Sequence, residues 1–232
     1  MDSVKTQSNT ALDEMFKVGA HYGFSRSRRH PSFKSVVFGV KNGVDIIDLE
    51  KTQVYFDKAL EFAKSVVAEG KQILFVGTKP EISNIVKEIA LSMDMPYVSN
   101  RWIGGTLTNF PEIKKRIAKL EEFRRQKERG DLAKYTKKEK LLIDRDIDRL
   151  ENNFGGIVSM KNMPAVLFVV DPRNEAIAVE EASQIKIPTI ALSGSDCDIT
   201  KVAYPIPAND SSVASVKFFS DKFKTSLNLK TN

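Results

Sequence analysis

Two runs set between segments of helical period, Ile73-Leu74-Phe75-Val76 and Val166-Leu167-Phe168-Val169-Val170, carry no polar side chain. Successive side chains of a strand point to opposite faces, so a strand that is apolar throughout has no face to give to water. Both must lie in a sheet covered on two sides, and segments of helical period surround them. Before the first run, Val54, Leu60, Phe62, Ala63, Val66 and Val67 follow one another along a helix that Asp48 caps and Gly70 ends. After it, Ile82, Ile85, Val86 and Ile89 share a helical face that runs to about Leu91. A short strand at Pro96-Tyr97-Val98, a helix from Asn174 to Ile185, strands at Thr189 to Leu192 and Ala203 to Ile206, and an amphipathic helix from Ser211 to Leu227 continue the alternation. The expected fold class is a three-layer α/β domain around a parallel sheet. Nearer the start, after a polar and frayed stretch at 1–10, Leu12, Met15, Phe16 and Gly19 mark a short helix. Ser35 to Val40 then reads as a strand that turns at Asn42-Gly43 into Val44 to Ile47.

The alternation is interrupted once, between Arg101 and Phe154. The segment opens with Arg101-Trp102-Ile103-Gly104-Gly105-Thr106-Leu107-Thr108-Asn109-Phe110, and a second glycine pair, Gly155-Gly156, follows it. In between, Phe110, Ile113, Ile117 and Leu120 fall three, four and three apart, and Ile143, Ile147, Leu150 and Phe154 fall four, three and four apart. Each arm therefore carries one narrow apolar seam, and the two seams predict a coiled-coil helical hairpin. Asn109 with Glu112, and Thr136 with Glu139, have the spacing of N-cap pairs, while Gly130-Asp131 breaks the run between them. The expected organisation is an α/β domain over 1–105 and 155–232 with a basic N-terminal extension, and an inserted hairpin over 106–154 rooted on its glycines. A seam closed on itself makes the hairpin dispensable for folding of the remainder.

Charge is placed unevenly. The chain has a net charge of +6, and from Met15 to Val44 it holds six basic residues (Lys17, Arg26, Arg28, Arg29, Lys34 and Lys41) and no acid, so the excess is local. Cations interleaved with His21, Tyr22, Phe24, His30 and Phe33 are what phosphate contact with base or ribose packing requires. Candidate RNA-binding residues are Arg26, Arg28, Arg29, His30 and Lys34, with Pro31 stiffening their loop. A second group is Arg101 with Trp102, whose ring either packs on ribose or base or is buried at the hairpin root. Thr106, Thr108 and Asn109 either donate to phosphate or cap the following helix, and Lys114 and Lys115 lie one turn further on. The hairpin also carries Lys134 among its cations.

No catalytic set emerges. The loops after the strands, Gly77-Thr78-Lys79, Asp171-Pro172-Arg173, Ser193-Gly194-Ser195-Asp196 and Asn209-Asp210, stand where α/β folds bind ligands, yet no Gly-x-Gly-x-x-Gly or Walker loop is present. Capping of the following helices is their other reading. His21 and His30 are not at ligand or base spacing with the sole cysteine, and Cys197 lies between Asp196 and Asp198, which raise a thiol pKa. One cysteine excludes an intrachain disulfide. No apolar run approaches a membrane span and the first fifteen residues lack a signal pattern, so the cytosol is the expected location.

Several stretches together resemble the bacterial-type ribosomal protein S2 family of the small subunit. They are Gly19-Ala20-His21-Tyr22-Gly23, Phe38-Gly39 with Asn42-Gly43, Ile46-Ile47-Asp48-Leu49, Leu74-Phe75-Val76-Gly77-Thr78-Lys79, the run Arg101 to Phe110, and Leu167-Phe168-Val169-Val170-Asp171-Pro172-Arg173. The resemblance covers about Leu12 to Phe219. Two loops depart from it: the family's usual Trp-Asn-Pro-Lys-Met is Arg29-His30-Pro31-Ser32-Phe33 here, and its usual Asp-Thr-Asn-Cys-Asp-Pro is Gly194-Ser195-Asp196-Cys197-Asp198-Ile199. The resemblance implies a flavodoxin-like parallel sheet carrying a coiled-coil hairpin. It also implies a structural, non-enzymatic role on the cytoplasmic ribosome. The implied partners are small-subunit ribosomal RNA and neighbouring ribosomal proteins, including the large messenger-binding one. No cofactor, metal, membrane or self-association is expected. The alternative from a different class is a nucleotide- or flavin-binding enzyme that uses the carboxyl-end crevice of the sheet.

Overall fold

The computed structural model describes residues 11–131 and 135–228; the polar start and Lys134 lie outside them. In chain order the elements are helix α1 (residues 11–17), strand β1 (Tyr22–Ser25), a 3-10 turn (Arg26–Arg28), a 3-10 helix (Pro31–Val36), β2 (Val37–Lys41) and β3 (Val44–Ile47). Then come α2 (Leu49–Ala68), β4 (Ile73–Val76), α3 (Pro80–Ser92), β5 (Tyr97–Val98), α4 (Phe110–Glu128) and α5 (Lys137–Phe154). The last are β6 (Val166–Val170), α6 (Ala176–Gln184), β7 (Thr189–Ser193), β8 (Tyr204–Pro207) and α7 (Val213–Asn228).

The five strands β5-β4-β6-β7-β8 pair in that order, all parallel. Counted from β4 this is the strand order of a flavodoxin-like sheet. Side-chain alternation divides the core in two. Ile73 and Phe75 of β4, with Phe168 of β6 and Ile190 of β7, meet Phe56 and Ala63 of α2, Val86 of α3 and Phe219 and Phe223 of α7. Leu74, Val76, Leu167, Val169 and Ala191 point the other way and meet Ala178 and Ala182 of α6. The fully apolar strands are thus covered on both faces, as their sequence requires.

That second layer corrects the expectation of a self-contained hairpin. Its foot is core: Trp102, Leu107, Phe110, Ile113, Ile117, Leu120, Leu150 and Phe154 belong to the same buried cluster as Leu74 and Val169. Alpha6 has only nine residues and covers only part of the sheet face; the foot of α4 and α5 covers more of it. Further out the seam is thinner, with Ile143 and Ile147 half-buried and ion pairs such as Arg124–Glu151 at 2.5 Å and Lys127–Asp144 at 3.0 Å bridging the arms. Gly156 stands where α5 meets the domain, because a Cβ there would fall on the Tyr97 carbonyl oxygen and 2.8 Å from two of its ring carbons. The Thr136–Glu139 capping box is present at the start of α5. Asn109 makes no side-chain cap bond; Pro111, within the first turn of α4, brings no N–H to be capped, and Glu112 bonds Lys115 instead.

The N-terminal region forms a separate antiparallel sheet, β1-β3-β2, turned at Asn42 (φ 53) and Gly43 (φ 76). Beta1 was not expected, and the strand expected from Ser35 begins at Val37. Phe33 and Val36 are three residues apart, so the three-residue turn of a 3-10 helix places both on Ile47, where all three are buried.

Candidate nucleic-acid interface

The basic segment is pinned along its length. Phe24 N donates to Ser195 Oγ at 2.7 Å and His30 N donates to the Ser195 carbonyl at 2.9 Å. Arg26 N donates to the Gly43 carbonyl at 2.9 Å, and Ile199 N donates to Ser32 Oγ at 3.2 Å. The loop is therefore fixed to the β2–β3 turn on one side and to the segment after β7 on the other. On this backbone Arg26 and Lys34 are exposed and form no ion pair among the described residues. Arg28, with 53% of its side chain exposed, lies 4.5 Å above the Phe24 ring and shares Asp196 Oδ2 with Arg173, at 3.1 Å and 2.6 Å respectively.

Of the expected RNA ligands, Arg29 faces inward and His30 is engaged by its own helix. Arg29, only 19% exposed, donates to Asp45 Oδ1 at 3.3 Å, and Asp45 is fully buried, so this guanidinium serves to neutralise an interior carboxylate. His30 caps the 3-10 helix, its Nδ1 accepting from Ser32 N at 3.3 Å, and lies 3.7 Å from Asp198 Oδ1. The same Asp198 carboxyl sits below its ordinary value, chiefly through the Thr200 hydroxyl that donates to it at 2.6 Å.

The second expected group is organised by a residue that the sequence did not single out. Glu181 of α6 is buried and accepts from Trp102 Nε1 (3.1 Å), Gly105 N (2.7 Å), Leu107 N (3.0 Å), Thr108 N (3.1 Å) and Thr108 Oγ1 (3.2 Å). The glycine-containing turn thus wraps a carboxylate of its own chain, and of the donors expected for RNA phosphate Thr108 is used there. Burial alone would raise this carboxyl, but the Thr108, Gly105 and Leu107 amides and the Trp102 indole outweigh it and hold it below its ordinary value. Trp102 and Thr106 are buried, the latter donating to the Ile103 carbonyl at 2.6 Å, so neither presents itself to a ligand. Asn109 is exposed. Arg101 is exposed and forms no ion pair among the described residues, Lys114 is exposed with its ammonium 5.0 Å from the centre of the Phe110 ring, and Lys115 pairs with Glu112 at 2.6 Å.

The crevice at the strand ends is occupied by the chain itself. Lys79 is paired with Asp171, Asp171 Oδ1 accepts from Arg173 N and Asn174 N, Gly194 N donates to Asp210 Oδ2 at 2.8 Å, and Asn209 Oδ1 accepts from Ser211 N and Ser212 N. Gly194 permits this closure, since a Cβ there would lie 2.7 Å from Asp210 Oδ1. Burial, and then the neighbouring Asp171 charge, raise the Asp210 carboxyl to about 7. Burial would lower the Lys79 ammonium, but Asp171, Asp210 and Asp196 hold it above its ordinary value. Cys197 is buried and its thiol is pushed far up by burial and by Asp210, Asp171 and Asp196. Asp171, Cys197 and Asp210 bring ligand atoms within 4.8 Å of one another, with the Lys79 ammonium already compensating their charge. Among the described residues no helix is long and apolar enough to cross a membrane.

Comparison with known proteins gives one consistent result. The chain is 41% identical over 217 residues to the small ribosomal subunit protein uS2 of Sulfurimonas denitrificans, covering 94% of this chain and 84% of that one. It is 42% identical over 208 residues to the uS2 protein of a Nitratiruptor species, covering 90% and 78%, and 41% identical over 217 residues to that of Campylobacter concisus, covering 94% and 83%. Residues 15–228 match the family model described as Ribosomal protein S2, and the chain belongs to that family.

Proposed function

We propose that this protein is a structural constituent of the small ribosomal subunit in the cytoplasm, binding small-subunit ribosomal RNA and neighbouring ribosomal proteins, with no turnover of its own. The observation that carries the reading is a set of exposed cations on a backbone fixed by hydrogen bonds: Arg26, Arg28 and Lys34 on the pinned loop. Such cations bind phosphate without first having to be ordered. Arg101, Lys114 and Lys115 form a second set at the foot of the hairpin, so RNA lies along both the basic loop and the first turns of α4. The hairpin, taken as the insertion 106–154, reaches outward to seat the protein, and the large messenger-binding ribosomal protein is among its neighbours. The protein enters the subunit as a single copy. The function is tested by replacing Arg26 and Lys34 together with alanine. Salt-dependent association with small-subunit RNA is expected to weaken, and its log–log slope to flatten by about 0.7 to 0.9 for each phosphate that is no longer bound. An unchanged slope in a folded variant, or failure of the wild-type protein to comigrate with small subunits in a gradient, would overturn this assignment.

A further inference from the structure

A cleft of about 800 Å³ opens between the basic loop, one side of α6 and the segment 196–202. Its size is that of a small-molecule site, far larger than a lone anion needs. One end carries two guanidiniums. Arg28 and Arg173, 53% and 55% exposed, both rest on the single Oδ2 of Asp196, with most of their N–H donors unused, while Asp198, also on the lining, is engaged by the Thr200 hydroxyl and lies 3.7 Å from His30. Lys201, exposed and in no ion pair among the described residues, stands on the same rim. The walls are different: Pro31 from the loop and Ala176 at the start of α6 are exposed, and the largely buried Pro172 and Val202 complete an apolar lining of the kind a planar ring packs on. Glu180 and Gln184 add acceptors along the α6 side, suited to ring N–H groups or ribose hydroxyls.

We infer that this cleft receives one nucleoside phosphate, its phosphate on Arg28 and Arg173 and its ring between the proline and valine walls. An unpaired nucleotide of the bound RNA is the source that agrees with the proposed function, on which this inference rests; a free mononucleotide has the same chemistry.

The purified full-length protein is titrated with UMP, AMP, uridine and inorganic phosphate while backbone amides and valine methyls are followed by NMR. Both nucleotides are expected to shift Arg173, Glu180, Lys201 and Val202 saturably, uridine to bind at least about tenfold more weakly, and Arg173→Ala to weaken the nucleotides by about tenfold. Ala176→Trp, which fills the cleft from an exposed position, is expected to abolish the shifts while the rest of the spectrum stays intact. Shifts produced equally by phosphate alone, or nucleotide shifts that survive Ala176→Trp, overturn the inference. A photoreactive residue at position 176 in assembled subunits separates the sources. An adduct to RNA gives the unpaired nucleotide, and no adduct together with UMP binding gives the free one. An adduct to a neighbouring protein overturns the site. Comigration of the wild-type protein with subunits is scored separately, so a failed cleft leaves the ribosomal role standing.

Discussion

Glu181 draws donors from four residues of a distant turn, and nothing in Glu180-Glu181 distinguishes the buried acid from its exposed neighbour. Replacing Glu181 with alanine strands the Leu107 amide and the Trp102 indole N–H in the interior and takes the acceptor from the half-buried Gly105 and Thr108 amides, at a cost of about 3 to 5 kcal/mol, whereas Glu181→Gln, keeping one acceptor oxygen, costs about 1 to 2 kcal/mol. Urea midpoints would show the order, and an alanine variant within about 0.5 kcal/mol of wild type would refute it. Two carboxyls here respond to pH in opposite senses. Glu181 is held below its ordinary value, so its contribution is present above that value and disappears as the pH falls through the folded one. Asp210 is raised to about 7, so the folded state keeps a proton that the unfolded chain releases, and this contribution fades as pH rises toward 7. Between about pH 4 and 7 the wild type should lose stability relative to Asp210→Asn, by at most about 1.4 kcal/mol per pH unit; parallel profiles would show that Asp210 is ionised throughout. The arginines separate in the same manner. Arg29→Ala should cost about 2 to 3 kcal/mol in folding by exposing the Asp45 charge to an apolar interior, while Arg26→Ala should leave the denaturation midpoint unmoved and lower only RNA affinity. The cations were legible as a group in the sequence, but their division into inward and outward was not, because it depends on where Asp45 and Asp196 come to lie.

Among elements, the strands with no polar residue were the most legible: β4 and β6 occupy the residues expected, since burial on both faces leaves no other arrangement for such runs. The hairpin arms were legible from the seam, and Asp48 and Thr136 cap where the spacing placed them. Beta1 was not, because Tyr22-Gly23-Phe24-Ser25 is short, contains glycine and is defined by pairing with β3 about twenty residues away. The glycine pairs look alike as roots in the sequence, yet they differ physically. A Cβ at Gly104 meets nothing within 4 Å, and one at Gly156 meets Tyr97 backbone. Gly104→Ala should therefore change the melting temperature little, while Gly156→Ala should destabilise by about 1 to 3 kcal/mol and tilt α5 against β5. Equal melting temperatures for the two variants would remove the distinction.

For the molecule as a whole, the hairpin consists of a foot that covers the sheet and an outer part that does not. Shortening the arms by excising residues 121–149 should leave a cooperatively folded protein. Excising 107–153 should abolish cooperative unfolding, because it bares Leu74, Val76, Leu167 and Val169 and takes the Leu107 and Thr108 amides from Glu181. Thermal denaturation of the two deletions decides this, and a cooperative transition in the longer deletion would restore the hairpin as a free appendage. The burial at the foot also has a mechanical meaning. Alpha4 is 19 residues long, but its buried side chains run from Phe110 to Leu120, so only the turns beyond Leu120, about 12 Å, stand clear of the core as a lever. A tilt of about 10° there would carry the far end through roughly 2 Å, so the buried foot, by shortening the free arm, keeps the tip close to whatever it meets.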